Sequence, residues 1–327
     1  MSDATKHGDV EVNGVRLHIA EQGEGPLVLL LHGFPESWYS WRHQFDPLAA
    51  AGYRVVAPDQ RGYARSEQPE DVDAYTLLHL VGDVTALIGA LGAEQAVVVG
   101  HDWGAPVAWT AAALRPDLVR AVAGLSVPPL PLGGPPPLRN AREDFGEGYY
   151  QIYFQQPGRA DAELAADPKS SFRRILGATY PDGKPQPWIV PEGRTLLDTV
   201  PEPERLPHWL TEADIDAFAA DYAEHGEHAF TGGLNWYRNI DRNAELMAPF
   251  AGRPIEVPAL FVAGEQDLVN AIIEPEVRAH LLKHHTPRLH RYVRLPETGH
   301  WTQQERPEEV TAALLDFLEH VESASDR

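Results

Sequence analysis

The chain has 327 residues, with 27 Lys plus Arg against 48 Asp plus Glu and a formal net charge of −21. With 43 % apolar and 23 % charged residues, it has the composition of a folded globular protein of one large or two ordinary domains. The acidic excess argues against a nucleic-acid partner, which needs a basic face, and the absence of cysteine excludes disulfides, thiolate-bound metal and a thiol nucleophile.

The first dozen residues are polar and lack the apolar run of a signal peptide. The most apolar short run, Leu27 to Leu31, is too short to cross a bilayer. The expectation is a cytoplasmic chain without membrane insertion. Residues 9–12, an Asn13-Gly14 turn and residues 15–20 read as a hairpin, because both turn residues tolerate positive φ. Continuous apolar runs follow at 27–31, 53–57, 96–99, 121–125, 259–263 and 289–295, the pattern of strands buried on both faces. Helical patterns at 75–91, 103–114 and 308–319 alternate with them, which predicts an α/β doubly wound, mostly parallel sheet. The tail from Glu319 to Arg327 reads as a frayed helix end.

The alternation breaks at Val127-Pro128-Pro129-Leu130-Pro131, where proline density removes backbone donors and predicts a linker. From there to about Ala248 the patterns are helical, and a structureless connection of roughly 115 residues is improbable. The expected organisation is a sheet domain in two parts, 1–130 and 248–327, with a helical lid at 131–247 inserted between them.

Val97-Val98-Val99-Gly100-His101-Asp102-Trp103-Gly104 is a strand, a turn with two glycines and a helix start. This is the layout of a nucleophile elbow with Asp102 at the central position, although an aspartate there could simply cap the helix. The first apolar run ends in His32-Gly33-Phe34-Pro35, a tight turn that could aim a backbone N–H at the elbow. Two late strands end at Gly264-Glu265-Gln266-Asp267 and Thr298-Gly299-His300-Trp301. The order nucleophile, acid, histidine is thereby met by Asp102, Asp267 and His300. The competing acid position, after the run at 121–125, holds Val127-Pro128-Pro129 and no carboxylate. His225 with His228, and His280 with His284, have helical metal spacing but no accompanying catalytic motif, and read as solvated faces.

The segments around Phe34, Asp102 and His300 resemble the epoxide hydrolase branch of the α/β-hydrolase family, and the likeness covers the chain after about residue 9. The lid is similar too: Tyr149-Tyr150-Gln151-Ile152-Tyr153-Phe154-Gln155 and Leu234-Asn235-Trp236-Tyr237-Arg238-Asn239 resemble the segments that carry the family's tyrosine acids. By the spacing Tyr-x-x-x-Phe-Gln, the first acid is Tyr150 and the second is Tyr237. Tyr150, Tyr153 and Phe154 also share one helical face, which plain packing would explain. The resemblance implies conversion of a small apolar epoxide and water to a diol through an Asp102 ester, with no cofactor and no metal. It implies backbone oxyanion donors at Phe34 and Trp103, and a cis Phe34-Pro35 bond where the sequence alone favours trans. Phe34, Trp103, Gln151, Phe154, Trp236 and Trp301 are the expected substrate contacts, in a monomer or homodimer.

The alternative is a haloalkane dehalogenase, which shares the aspartate nucleophile and Trp103. Phe34 stands where one dehalogenase type has asparagine; Trp188, Trp209 and Trp236 are candidates for the lid tryptophan of another. Fluoroacetate dehalogenases normally have arginine where Trp103 stands. A non-catalytic ligand-binding relative could lose any catalytic member, whereas all five are present here.

Overall fold

Each apolar run becomes a strand of one sheet. A computed structural model of the chain describes residues 5–178, 185–200 and 202–325. The strands are β1 (Lys6–Val12), β2 (Val15–Gln22), β3 (Leu27–Leu31), β4 (Arg54–Pro58), β5 (Ala96–His101), β6 (Val119–Leu125), β7 (Ala259–Gly264) and β8 (Leu289–Leu295). They pair in the order β1-β2-β4-β3-β5-β6-β7-β8. The hairpin β1-β2 and the β2-β4 pair are antiparallel, and the remaining pairs are parallel. Asn13 (φ 47°) and Gly14 (φ 78°) turn the hairpin in the left-handed region, as that dipeptide predicts.

The continuous apolar runs are explained by burial on two sides. In β3, Leu29 and Leu31 join the core under helices Leu77–Ala90 and Gly104–Leu114, while Val28 and Leu30 join the core under Phe45–Ala50 and Pro307–Ser325. The last helix does not fray near Glu319. It runs to Ser325 because Val321 is buried in the second core layer and Glu322 pairs with Arg120; Asp326 and Arg327 lie outside the described residues.

The chain leaves β3 for β4 on one side and returns to β5 on the other. Reversal of winding at this point opens a crevice beyond the carboxyl ends of β3 and β5, where His32-Gly33-Phe34 and Asp102 stand. The insertion between β6 and β7 covers that crevice with helices that include Pro137–Phe145, Tyr150–Tyr153, Glu212–Ala223, Thr231–Arg238 and Ile240–Met247. Its described residues contain no strand, only a single bridge between Tyr149 and Ile189. Polar contacts tie this cap to the sheet domain: Tyr222 Oη donates to the Glu36 carbonyl (2.7 Å) and Asn243 Oδ1 accepts from Leu77 N–H (2.7 Å). Among the described residues, no helix is long and apolar enough to cross a membrane.

Candidate active site

Asp102 follows β5 with φ 49°, the strained left-handed conformation of a sharp elbow. Two glycines make the turn possible. A Cβ on Gly100 would stand 2.1 Å from the Gly104 carbonyl oxygen, and one on Gly104 would stand 2.2 Å from that of Leu31. The helix begins at Gly104 without a side-chain cap, so the Asp102 carboxylate is turned away from capping and toward the crevice. Its Oδ1 accepts the Phe34 N–H at 2.8 Å. Gly33 lets that loop approach, since a Cβ there would lie 2.3 Å from Asp102 Oδ1. The Phe34-Pro35 peptide is cis. The Trp103 N–H comes directly after Asp102, at the start of the helix.

His300 Nε2 lies 3.3 Å from Asp102 Oδ2, and its Nδ1 lies 2.9 Å from Asp267 Oδ1. Asp267 is fully buried and also caps the helix Leu268–Ile272 by accepting Val269 N–H at 2.9 Å. Burial works against charge on His300, but Asp267 and then Asp102 outweigh it and hold the imidazole well above its ordinary value. Burial likewise opposes the Asp102 charge; His300, His101 and the Phe34 N–H overcome it and keep the carboxyl below its ordinary value. Each of the two groups therefore favours the charged form of the other.

A second buried pair lies behind the elbow. His101 Nδ1 faces Glu36 Oε2 at 2.8 Å, and its Nε2 faces the His300 carbonyl at 2.8 Å. Burial opposes the Glu36 charge, but the His101 ring and the Gly33 N–H outweigh it and hold the carboxyl below its ordinary value. Glu36 also accepts from Gly33 N–H, Gln303 and Gln304. Sequence reasoning passed over both residues, although His101 lies within the elbow motif and Glu36 directly follows His32-Gly33-Phe34-Pro35. The available signal was a polar side chain at the end of the apolar strand β5 and another just past the turn that follows β3.

The cap supplies Tyr150 and Tyr237, whose rings lie 6.0 Å apart. Burial pushes both phenols well above their ordinary value, with nearby tyrosines and Asp102 adding to it. Tyr150 Oη accepts from Gln151 Nε2 at 3.0 Å. Tyr153 is committed elsewhere, donating to Glu163 Oε2 at 2.6 Å. Two cavities meet at Asp102, Tyr150, Tyr237 and Val269. One, of about 270 Å³, is lined by Phe34, Phe154, Trp188, Trp209, Trp301 and His300 among others. The second, of about 340 Å³, runs past Trp103 and Gln151 to Leu130, Met247 and Ile272.

Trp236 lines neither cavity, contrary to expectation. Successive residues on a helix point about 100° apart, so with Tyr237 facing the cavity Trp236 turns to the sheet domain. There it is fully buried and donates its indole N–H to the Arg61 carbonyl at 3.0 Å. Sequence reasoning missed the wall formed by Leu130 and the proline linker, which a linker assignment gave no cause to place in one cavity with Asp102. Among the described residues, no group of three or more His, Asp or Glu could hold a metal ion. The rings of His280 and His284 lie with centroids 4.1 Å apart, tilted by 38°, and His225 Nε2 bonds the Ala64 carbonyl.

Residues 26–307 match the family described as alpha/beta hydrolase fold. The chain is 48 % identical to Epoxide hydrolase A of Mycobacterium tuberculosis, over 96 % of this chain and 97 % of that one. It is 40 % identical to Epoxide hydrolase 3 of Siraitia grosvenorii, over 97 % and 99 %. The crystal structure of Epoxide Hydrolase A from Mycobacterium thermoresistibile matches with a TM-score of 0.88 at 48 % identity, covering 96 % of this chain and 98 % of that one. An epoxide hydrolase from an endophytic Streptomyces matches with a TM-score of 0.92 at 42 % identity, covering 98 % and 97 %. The chain belongs to the α/β-hydrolase family, in its epoxide hydrolase branch.

Proposed function

We propose that this chain hydrolyses apolar epoxides to vicinal diols through a covalent ester on Asp102, beneath a lid spanning residues 131–247. The observation that carries the reading is one carboxylate facing three kinds of partner. Asp102 has a backbone donor on Oδ1, His300 beside Oδ2, and two phenols lining the same cavities.

Asp102 is ionised and needs no base. One of its oxygens attacks an epoxide carbon, the carbon–oxygen bond of the ring breaks, and the electron pair passes to the ring oxygen. Tyr150 and Tyr237 hydrogen-bond that oxygen, and one gives it a proton. A phenol suits this task because it stays protonated at neutral pH yet is far more acidic than an alcohol, and such general-acid help is typically worth about 10²–10⁴-fold.

Esterification then changes His300. The Asp102 charge is gone, so one of the two carboxylates that held the imidazolium no longer acts, and the proton passes to solvent. The neutral ring, oriented by Asp267, takes a proton from water as the water oxygen attacks the ester carbonyl carbon. The oxyanion is held by the N–H groups of Phe34 and Trp103, a type of donor worth roughly 3–4 kcal/mol each. Collapse releases the diol as its alkoxide takes the proton from His300; Asp102, now holding the oxygen from water, gives its proton back to His300, and the phenolate left by ring opening regains one from solvent. These steps need no cofactor. The two cavities provide room for substituents on both epoxide carbons, and their aromatic and aliphatic walls favour apolar ones.

A single turnover in ¹⁸O-water tests the ester. The diol is expected to carry no label and Asp102 to carry it; labelled diol with unlabelled Asp102 would overturn the proposal. The dehalogenase alternative predicts halide release from haloalkanes and no diol from epoxides. The tyrosine pair argues against it, because a departing halide needs no proton.

A further inference from the structure

The loop that carries His300 is held on every side. The His300 carbonyl accepts from His101 Nε2 and Ser126 Oγ, each at 2.8 Å, and from Thr302 N–H at 2.9 Å. The two peptide N–H groups that flank the histidine turn to a single side chain. Glu305 Oε2 takes the Gly299 N–H at 2.8 Å, and its Oε1 takes the Trp301 N–H at 2.9 Å. Glycines leave the space for this clasp. A Cβ on Gly299 would stand 2.9 Å from Glu305 Oε1, and one on Gly264, at the end of β7, would stand 2.2 Å from the Gly299 carbonyl oxygen. Glu305 also lines the cavity that contains Asp102 and His300, yet none of the steps above employs it.

We propose that Glu305 is a positioning residue for the water-attack step, setting the His300 imidazole through its two neighbouring peptides and favouring the imidazolium that forms there. The proposal rests on the epoxide hydrolase reading above. The charged and titratable groups around His300 come from several elements: Asp267 after β7, Asp102 after β5, His101 in β5 with Glu36 behind it, and Glu305 on the helix Thr302–Glu305. Once Asp102 is esterified, Asp267 remains 2.9 Å from Nδ1 and Glu305 remains on the two flanking peptides. A misplacement of about 1 Å in a general base can cost roughly 10²-fold in rate, so the clasp has kinetic leverage although it touches no reacting atom.

The alternative is that Glu305 only caps its own short helix, which would affect stability and leave the chemistry alone. Rapid chemical quench with styrene oxide, reading the Asp102 ester by mass, separates the two. Glu305→Gln is expected to slow ester hydrolysis about tenfold while ester formation stays within about twofold. Because a negative charge is removed, imidazolium is less favoured, and the acid limb of hydrolysis moves to lower pH by about half a unit after screening. Glu305→Asp keeps the charge but cannot span both N–H groups, so hydrolysis slows while the limb stays in place. Equal slowing of both half-reactions with unmoved limbs, or a lower melting temperature with unchanged kinetics, overturns the proposal. If Glu305→Gln does not fold, unchanged hydrolysis in Glu305→Asp overturns it. A wild-type chain that forms no ester with any epoxide would instead overturn the reading on which the proposal rests.

Discussion

Neutralising Asp102 without removing its shape should drop the titration point of His300 sharply. The substitution is Asp102→Asn, which mimics the uncharged esterified state. His300 Nε2 lies 3.3 Å from Asp102 Oδ2, so at an effective dielectric near 20 the lost attraction is about 5 kcal/mol, or roughly 3–4 pH units. The two side chains are 17 % and 15 % exposed, and solvent screening reduces this to a fall of about 2 units. Asp267, at 2.9 Å from Nδ1, is unchanged and keeps the ring partly favoured as imidazolium. The sign follows from the resting state: two carboxylates raise the histidine, and removing one lowers it. The assay is an NMR titration of labelled histidine in wild type and variant, with intact mass confirming that the amide persists. In the same framework, the acid limb of ester hydrolysis lies below the titration of His300 in the resting protein. Identical titration of His300 in the two proteins would refute the reasoning, because the nucleophile could not then release its own base.

Tyr150→Phe and Tyr237→Phe each keep the ring in place and are expected to slow ester formation about 10–100-fold in stopped-flow single turnovers, the pair abolishing it; hydrolysis of ester already formed should hardly change. Gly100→Ala puts a Cβ 2.1 Å from the Gly104 carbonyl oxygen, so a loss of about 3 kcal/mol or more should appear in urea unfolding. Trp236→Phe removes the N–H that satisfies the buried Arg61 carbonyl. It should cost about 1–3 kcal/mol in the same assay while leaving KM for a small epoxide within about twofold.

The alternation of strands and helices, the hairpin turn and the elbow were legible because each is a local demand of the backbone. Gly100 and Gly104 are required by the steric closeness of adjacent turns, and Asn13-Gly14 by positive φ, so the residue types announce the geometry. That Asp102, Asp267 and His300 come together was legible for the related reason that polar side chains sit just past strand ends, where an α/β sheet opens its crevice. What faces what across the cap was not. Whether Tyr237 or Trp236 faces the cavity at Asp102 depends on the rotation of one helix against the sheet domain, where Trp236 meets Arg61, and only packing sets that. The clasps on His300 from Glu305, His101 and Ser126 join segments whose spacing carries no signal, since a carboxylate reaching back to two peptide N–H groups reads in sequence as an ordinary charged helix residue. The long apolar runs could say that β3 and β5 are buried on both faces; only the tertiary structure could decide that the proline linker after β6 closes the second cavity against the same aspartate.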